Sequence, residues 1–266
     1  MGFEFNKQVE QALSVEEPSV AHKNVLSKEQ LTELKQIALD FLGITADDIP
    51  TNQRSFWFRR GMIQLNPRIQ ELSDTVFKQF IPRTDAVLIG DTAFVINFPP
   101  HDIHIDCSDF RMVPEHQGII SYKSLVIPIE INCLRYPKFY TANQYFYGPT
   151  TRFRAGSEEF DATEPTSIKQ RSDGIMFSYN YAADGMKYLS DANTLTKEWY
   201  DANIDAGVAT PYSNFAGISI EAEHDWRPGD LIVFDSARIH FAQNIRKVQA
   251  PYKIGISLNY GIKASI

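Results

Sequence analysis

The sequence has 266 residues, 43% of them hydrophobic, 12% aromatic and 22% charged, which gives enough apolar mass for a sizeable core and rules out a chain that stays disordered. With 26 basic and 33 acidic residues the formal net charge is -7, and Lys and Arg form no block, so a nucleic-acid backbone has no electrostatic footprint to meet. The 2 cysteines, Cys107 and Cys133, cannot frame a disulfide scaffold; no apolar run approaches the ~20 residues of a membrane span, and no leader pattern opens the chain, so a cytoplasmic protein without membrane contact is expected.

The first ~85 residues read as mostly helical support. Ser27 and Gln30 form a capping box with Leu26 as its staple, and Leu31, Leu34, Ile37, Ala38 and Phe41 recur at helical spacing up to Gly43. A second helix is predicted from Pro67 through Ile69, Leu72, Val76, Phe77 and Phe80 to the stop at Pro82. Between them, the basic and aromatic stretch from Ser55 to Arg60 either leans over a site or covers a sheet.

From residue 86 the texture turns to short β-rich runs: 86–89, 93–98, 124–131, 139–147, 218–221, 231–234 and 253–260. Strands without regular intervening helices predict a mainly β fold with a helical buttress, its core a double-stranded β-helix, a cupin-like jelly roll, over residues 86–262. The whole chain, 1–266, reads as one domain. An insertion at about 157–215 is polar, with one helix near 193–203, and reads as a lid or loop.

His104 and Asp106 stand two apart in an extended segment, Phe98-Pro-Pro-His101-Asp-Ile-His104-Ile-Asp106, so both side chains leave one face of a strand. The pair alone is a weak motif and needs a third ligand. Pro228-Gly229-Asp230 predicts a tight turn, residues 231–234 a buried strand, and a further turn then presents His240. Two histidines and one carboxylate suit iron(II) with coordination positions left open. Next, Lys253, Gly255 and Ser257 share one face of an alternating strand; an ammonium directed into so small a face calls for an anionic partner.

In this order of residues the chain resembles the iron(II)/2-oxoglutarate-dependent dioxygenase superfamily, in its phytanoyl-CoA-hydroxylase-like and prolyl-hydroxylase-like branches. The resemblance is carried by His104-Ile-Asp106, the Pro-Gly-Asp strand leading to His240, and a basic residue on the following strand. It implies that His104, Asp106 and His240 hold Fe(II), that Lys253 anchors 2-oxoglutarate, with Arg246 as competitor, and that O2 is consumed. It also implies oxidation of a substrate C–H bond coupled to decarboxylation of 2-oxoglutarate to succinate. Because Asp106 occupies the position that is Gly or Ala in related halogenases, halogenation is disfavoured.

Several residues hold a second rank. Ser257 shares the Lys253 face, and the run Asn143 to Pro149 sends Gln144 to one face and Tyr147 to the other, so Gln144 is a co-substrate candidate and Tyr147 a substrate one. Arg111, Arg152, Arg154 and Arg238 lie near predicted pocket strands and are either carboxylate clamps or solvated surface charges. His101 falls on the face opposite His104; Asp102 and Asp109 read as loop residues, and His22, His116 and His224 as surface residues. The expected partner is a small molecule, an amino acid or natural-product intermediate. A peptidyl hydroxylase and a non-catalytic jelly-roll binding domain are the alternatives.

Overall fold

In the computed structural model, which describes residues 17–49, 57–61, 66–97, 106, 119–145, 167–171, 174–178, 187–188, 195–204, 212, 215, 218–236 and 238–263, the first helix stands where its caps place it. Helix α1 spans Lys28–Leu42; Ser27 Oγ accepts from the Gln30 N–H, Gln30 Oε1 accepts from the Ser27 N–H, and Gly43 closes it at φ 70. The second helical segment departs from expectation in kind. Asn66 caps α2 (Pro67–Leu72), which continues as a π turn over Ser73–Phe77 and a 3-10 turn over Lys78–Phe80. Within the widened turn Ser73 Oγ lies 2.5 Å from the Tyr260 hydroxyl on the sheet, while Phe77 stays in the core.

The strands are β1 (Val20–His22), β2 (Trp57–Gly61), β3 (Val87–Asn97), β4 (Ile119–Ile131), β5 (Lys138–Tyr145), β6 (Ser167–Arg171), β7 (Gly174–Ser178), β8 (Lys187–Tyr188), β9 (Ile220–Asp225), β10 (Leu231–Asp235), β11 (Arg238–Ala242) and β12 (Lys253–Lys263). Between β8 and β9 lies helix α3 (Lys197–Asn203). The two runs expected at 86–98 are one strand, β3, because β12 pairs with it from Lys253↔Asn97 to Gly261↔Val87 across an irregularity after Ser257. The support at 1–85 is less helical than expected: β1 and β2 close the two edges of the main sheet, so the stretch around Arg59 is edge strand. The insertion holds a hairpin, β6 and β7, besides its helix.

The main sheet runs β1-β10-β4-β12-β3-β2, and in the smaller sheet β5 pairs β11 on one side and β8 and β9 on the other, all antiparallel. The chain passes between sheets at β4 to β5, at β9 to β10, at β10 to β11 and at β11 to β12. That alternation is the winding of a double-stranded β-helix, and the jelly-roll expectation holds. Leu125, Ile127, Ile129, Ile254, Ile256 and Leu258 turn outward from the main sheet into a core with Leu34, Ala38, Ile69 and Leu72 of the helices. The opposite face of the same strands carries Phe234, Ile232, Ser124, Ser257, Gly255 and Lys253, and this inward face positions the site.

Candidate active site

The connection from β10 to β11 orients two of the three predicted metal ligands. The Asp106 N–H donates to Ser236 O at 2.9 Å, which fixes that residue against the turn. His240 lies on β11 with Nδ1 3.0 Å from Arg238 O. A carbonyl only accepts, so Nδ1 carries a proton, and whenever the ring is neutral its lone pair is at Nε2. Nε2 then sits 3.6 Å from Asp106 Oδ2, with side-chain exposures of 3% and 11%.

That separation exceeds a hydrogen bond. Two donors each ~2.1 Å from a shared cation, at angles between octahedral and tetrahedral, are roughly 3.0–3.4 Å apart, so a contraction of a few tenths of an ångström would close Asp106 and His240 on one ion. An imidazole lone pair facing a carboxylate in a buried place suits a divalent metal, and the tie from Nδ1 to a carbonyl is the support that metal-binding histidines usually have. The rings of Phe139 and Phe234 stand 5.5 and 4.5 Å from the His240 ring and screen it from water. His104 lies outside the described residues, and among those no group of three His, Cys, Asp or Glu side chains gathers.

Lys253 opens β12 on the inward face. It is buried, and desolvation pushes its ammonium from 10.5 down to about 7. Among the described residues no carboxylate reaches it, and its Nζ stands over the ring of Trp226, 5.0 Å from the centroid. Gly255, two residues on, lies under the same indole: a Cβ there would be 2.7 Å from Trp226 Cζ2, closer than real atoms approach. Trp226 packs in one cluster with Phe139, Ile232 and Phe234, so aromatic and aliphatic side chains join Lys253 to His240. Past Gly255 the face turns polar, with half-buried Ser257 and with Asn259, whose Oδ1 accepts from Ser124 Oγ at 2.8 Å. Ser124 Oγ also lies 3.0 Å from the hydroxyl of Ser236, the residue that holds Asp106.

Two expectations need correction. Arg238 is no solvated charge: it is fully buried, donates to Ala142 O at 3.2 Å and Glu17 O at 3.1 Å, and lies 3.6 Å from Glu221 and 3.7 Å from Asp235. Its side chain thus braces the residue whose carbonyl orients His240. His224 is buried, not on the surface, with Nε2 2.8 Å from Ser19 Oγ, and burial pushes its pKa down. Both are hidden in the sequence because their partners lie far away along the chain, Glu17 for Arg238 and Ser19 for His224.

Of the remaining candidates, Arg246 is exposed on a 3-10 turn, Ile245–Val248. Gln144 pairs through its backbone with Tyr188, and its side chain is outside the description. Arg111, Tyr147, Arg152 and Arg154 lie outside the described residues. Trp226, Phe139, Phe234 and Ser236 belong to the site and were not foreseen. The one signal for Trp226 was Gly255, a small residue inside an otherwise bulky strand, which marks a close approach.

No protein-family model and no curated protein matches the chain. Among solved structures it is similar to EvdO2 from Micromonospora carbonacea var. aurantiaca, at 10% identity and TM-score 0.47, covering 100% of this chain and 94% of that one. It is similar also to the non-heme alpha-ketoglutarate-dependent carbocyclase SnoK from nogalamycin biosynthesis, at 11% identity and TM-score 0.48, covering 98% and 84%. HygX from Streptomyces hygroscopicus, with iron bound, stands at 10% identity and TM-score 0.43, covering 92% and 82%.

Proposed function

We propose that the protein is a non-haem iron(II), 2-oxoglutarate-dependent oxygenase that oxidises a C–H bond of a small molecule. The observation that carries this reading is the buried apposition of His240 Nε2 and Asp106 Oδ2 at 3.6 Å, its imidazole oriented by a carbonyl. Asp106 and His240 would hold the metal, with His104, whose place in the sequence fits a third ligand. Lys253 would hold the distal carboxylate of 2-oxoglutarate, since a buried cation without a protein carboxylate gains most from an anion brought by a ligand.

When bound, iron(II) supplies the site for dioxygen activation, with 2-oxoglutarate and the substrate C–H bond giving succinate, carbon dioxide and the oxidised product. The chain's own residues do the rest. Arg238 O keeps the His240 proton on Nδ1 and its lone pair directed at the metal position. Ser236 O fixes the backbone of Asp106. Phe139, Phe234 and Ile232 give the site an apolar setting of low dielectric, which would strengthen the attraction of Lys253 for an anion.

The test is iron-dependent release of succinate from 2-oxoglutarate, screened over amino acids, natural-product intermediates and peptides. Stimulation by a small molecule and its loss in Asp106→Ala supports the reading. Stimulation by peptides alone would move the assignment to a peptidyl hydroxylase. No release in any mixture, with no iron bound, would leave a binding domain.

A further inference from the structure

Resting on the 2-oxoglutarate reading, we propose that Trp226 is a positioning residue that sets the length of the acid Lys253 accepts. The indole occupies the inward face of β12 beside the Lys253 ammonium, 5.0 Å from Nζ to ring centroid, and over Gly255. Successive residues on one face of a strand are ~6.6 Å apart, so a ring in contact with position 255 walls the floor immediately beyond the cation. It cannot sink further: a Cβ at position 255 would lie 2.7 Å from Trp226 Cζ2, so the backbone of Gly255 already admits the ring only for want of a side chain. It cannot easily move aside, because it is buried and packed against Phe139, Ile232 and Phe234, and its backbone N–H donates to Pro137 O at 2.8 Å.

The ring therefore does two things for one ligand. Its face holds the ammonium in place while no anion is bound, a cation–π contact in a desolvated site. Its edge limits the space along which a diacid stretches from Lys253 toward Asp106 and His240. A 2-oxo diacid one carbon longer must displace the indole; one a carbon shorter leaves either Lys253 or the metal ligands unfilled. Length selection then resides in an immobile side chain outside the metal ligand set.

The experiment is anaerobic calorimetry on the iron(II)-loaded protein with oxaloacetate, 2-oxoglutarate and 2-oxoadipate, using wild type, Trp226→Leu and Trp226→Phe. Wild type should favour 2-oxoglutarate over 2-oxoadipate by tenfold or more. Trp226→Leu should weaken 2-oxoglutarate by about fivefold, because the ammonium loses the ring that holds it in position, while 2-oxoadipate holds or gains, so the ratio collapses. Trp226→Phe keeps an aromatic face with a smaller ring and should shift the ratio in the same direction by less. Equal weakening of both acids, or a ratio unchanged within twofold in both variants, would overturn the proposal and leave the 2-oxoglutarate reading intact. Failure of wild type to bind any of the three acids would instead overturn that reading, and the selectivity with it.

Discussion

Replacing Lys253 by Met should stabilise the protein while removing its co-substrate. The ammonium is buried without a carboxylate among the described residues, and its fall from 10.5 to about 7 bounds the cost of keeping it charged at about 5 kcal/mol. Methionine has similar length and no charge to desolvate, so a gain on the order of 1–4 kcal/mol is expected at pH 6.5. The sign of the pH dependence follows from proton counts. Between about 7 and 10.5 the folded lysine has released its proton and the unfolded one retains it, so wild-type stability rises with pH across that window. The advantage of the Met variant should thus be full below pH 7 and shrink by about 1.4 kcal/mol per pH unit above it. Urea denaturation of both proteins between pH 6.5 and 9.5, without metal or diacid, reads the difference directly, and other titrating groups cancel between the two. A Met variant less stable than wild type at pH 6.5, or a gap that does not change with pH, would refute the reasoning.

The turn that braces the site gives a second outcome: Arg238→Met removes the buried cation 3.6 Å from Glu221, while Asp235 keeps Lys123 at 2.7 Å, and should cost about 3 kcal/mol in urea denaturation. Through the Arg238 carbonyl that orients His240, it should also weaken iron(II) binding by roughly tenfold or more in anaerobic calorimetry. Arg246→Ala, at an exposed position, should change 2-oxoglutarate affinity by less than about twofold, whereas Lys253→Met should weaken it by roughly 30-fold or more. Ser27→Ala removes one half of the capping box and should lower stability by about 1 kcal/mol without altering 2-oxoglutarate affinity.

What could be read in the sequence was whatever local periodicity and capping decide. Ser27, Gln30 and Gly43 bound α1 because each acts on backbone groups within a turn of itself, and β10 and β12 stood out as bounded apolar runs. Strands β1 and β2 were missed since three or five residues carry too little alternation, and their pairing is decided by β10 and β3 far along the chain. The π turn at Ser73 depends in the same way on Tyr260. At the site, the alternation of β12 placed Lys253 and Gly255 on one face, and the structure agrees. Arg238 and His224 were misjudged because burial of a polar side chain depends on distant partners that no window of sequence contains. Trp226 precedes a turn, where nothing local says that its ring will lie over Gly255.

The proposed site joins a metal at Asp106 and His240 to a 2-oxo acid at Lys253. Anaerobic titration of the protein with iron(II) and then 2-oxoglutarate tests it most directly, through the weak visible charge-transfer band of the chelate. The band should saturate at one equivalent of each in wild type, be lost in His240→Ala, and in Lys253→Met need far more 2-oxoglutarate to appear. A wild-type protein that gives no band, or a band unchanged in His240→Ala, would contradict it.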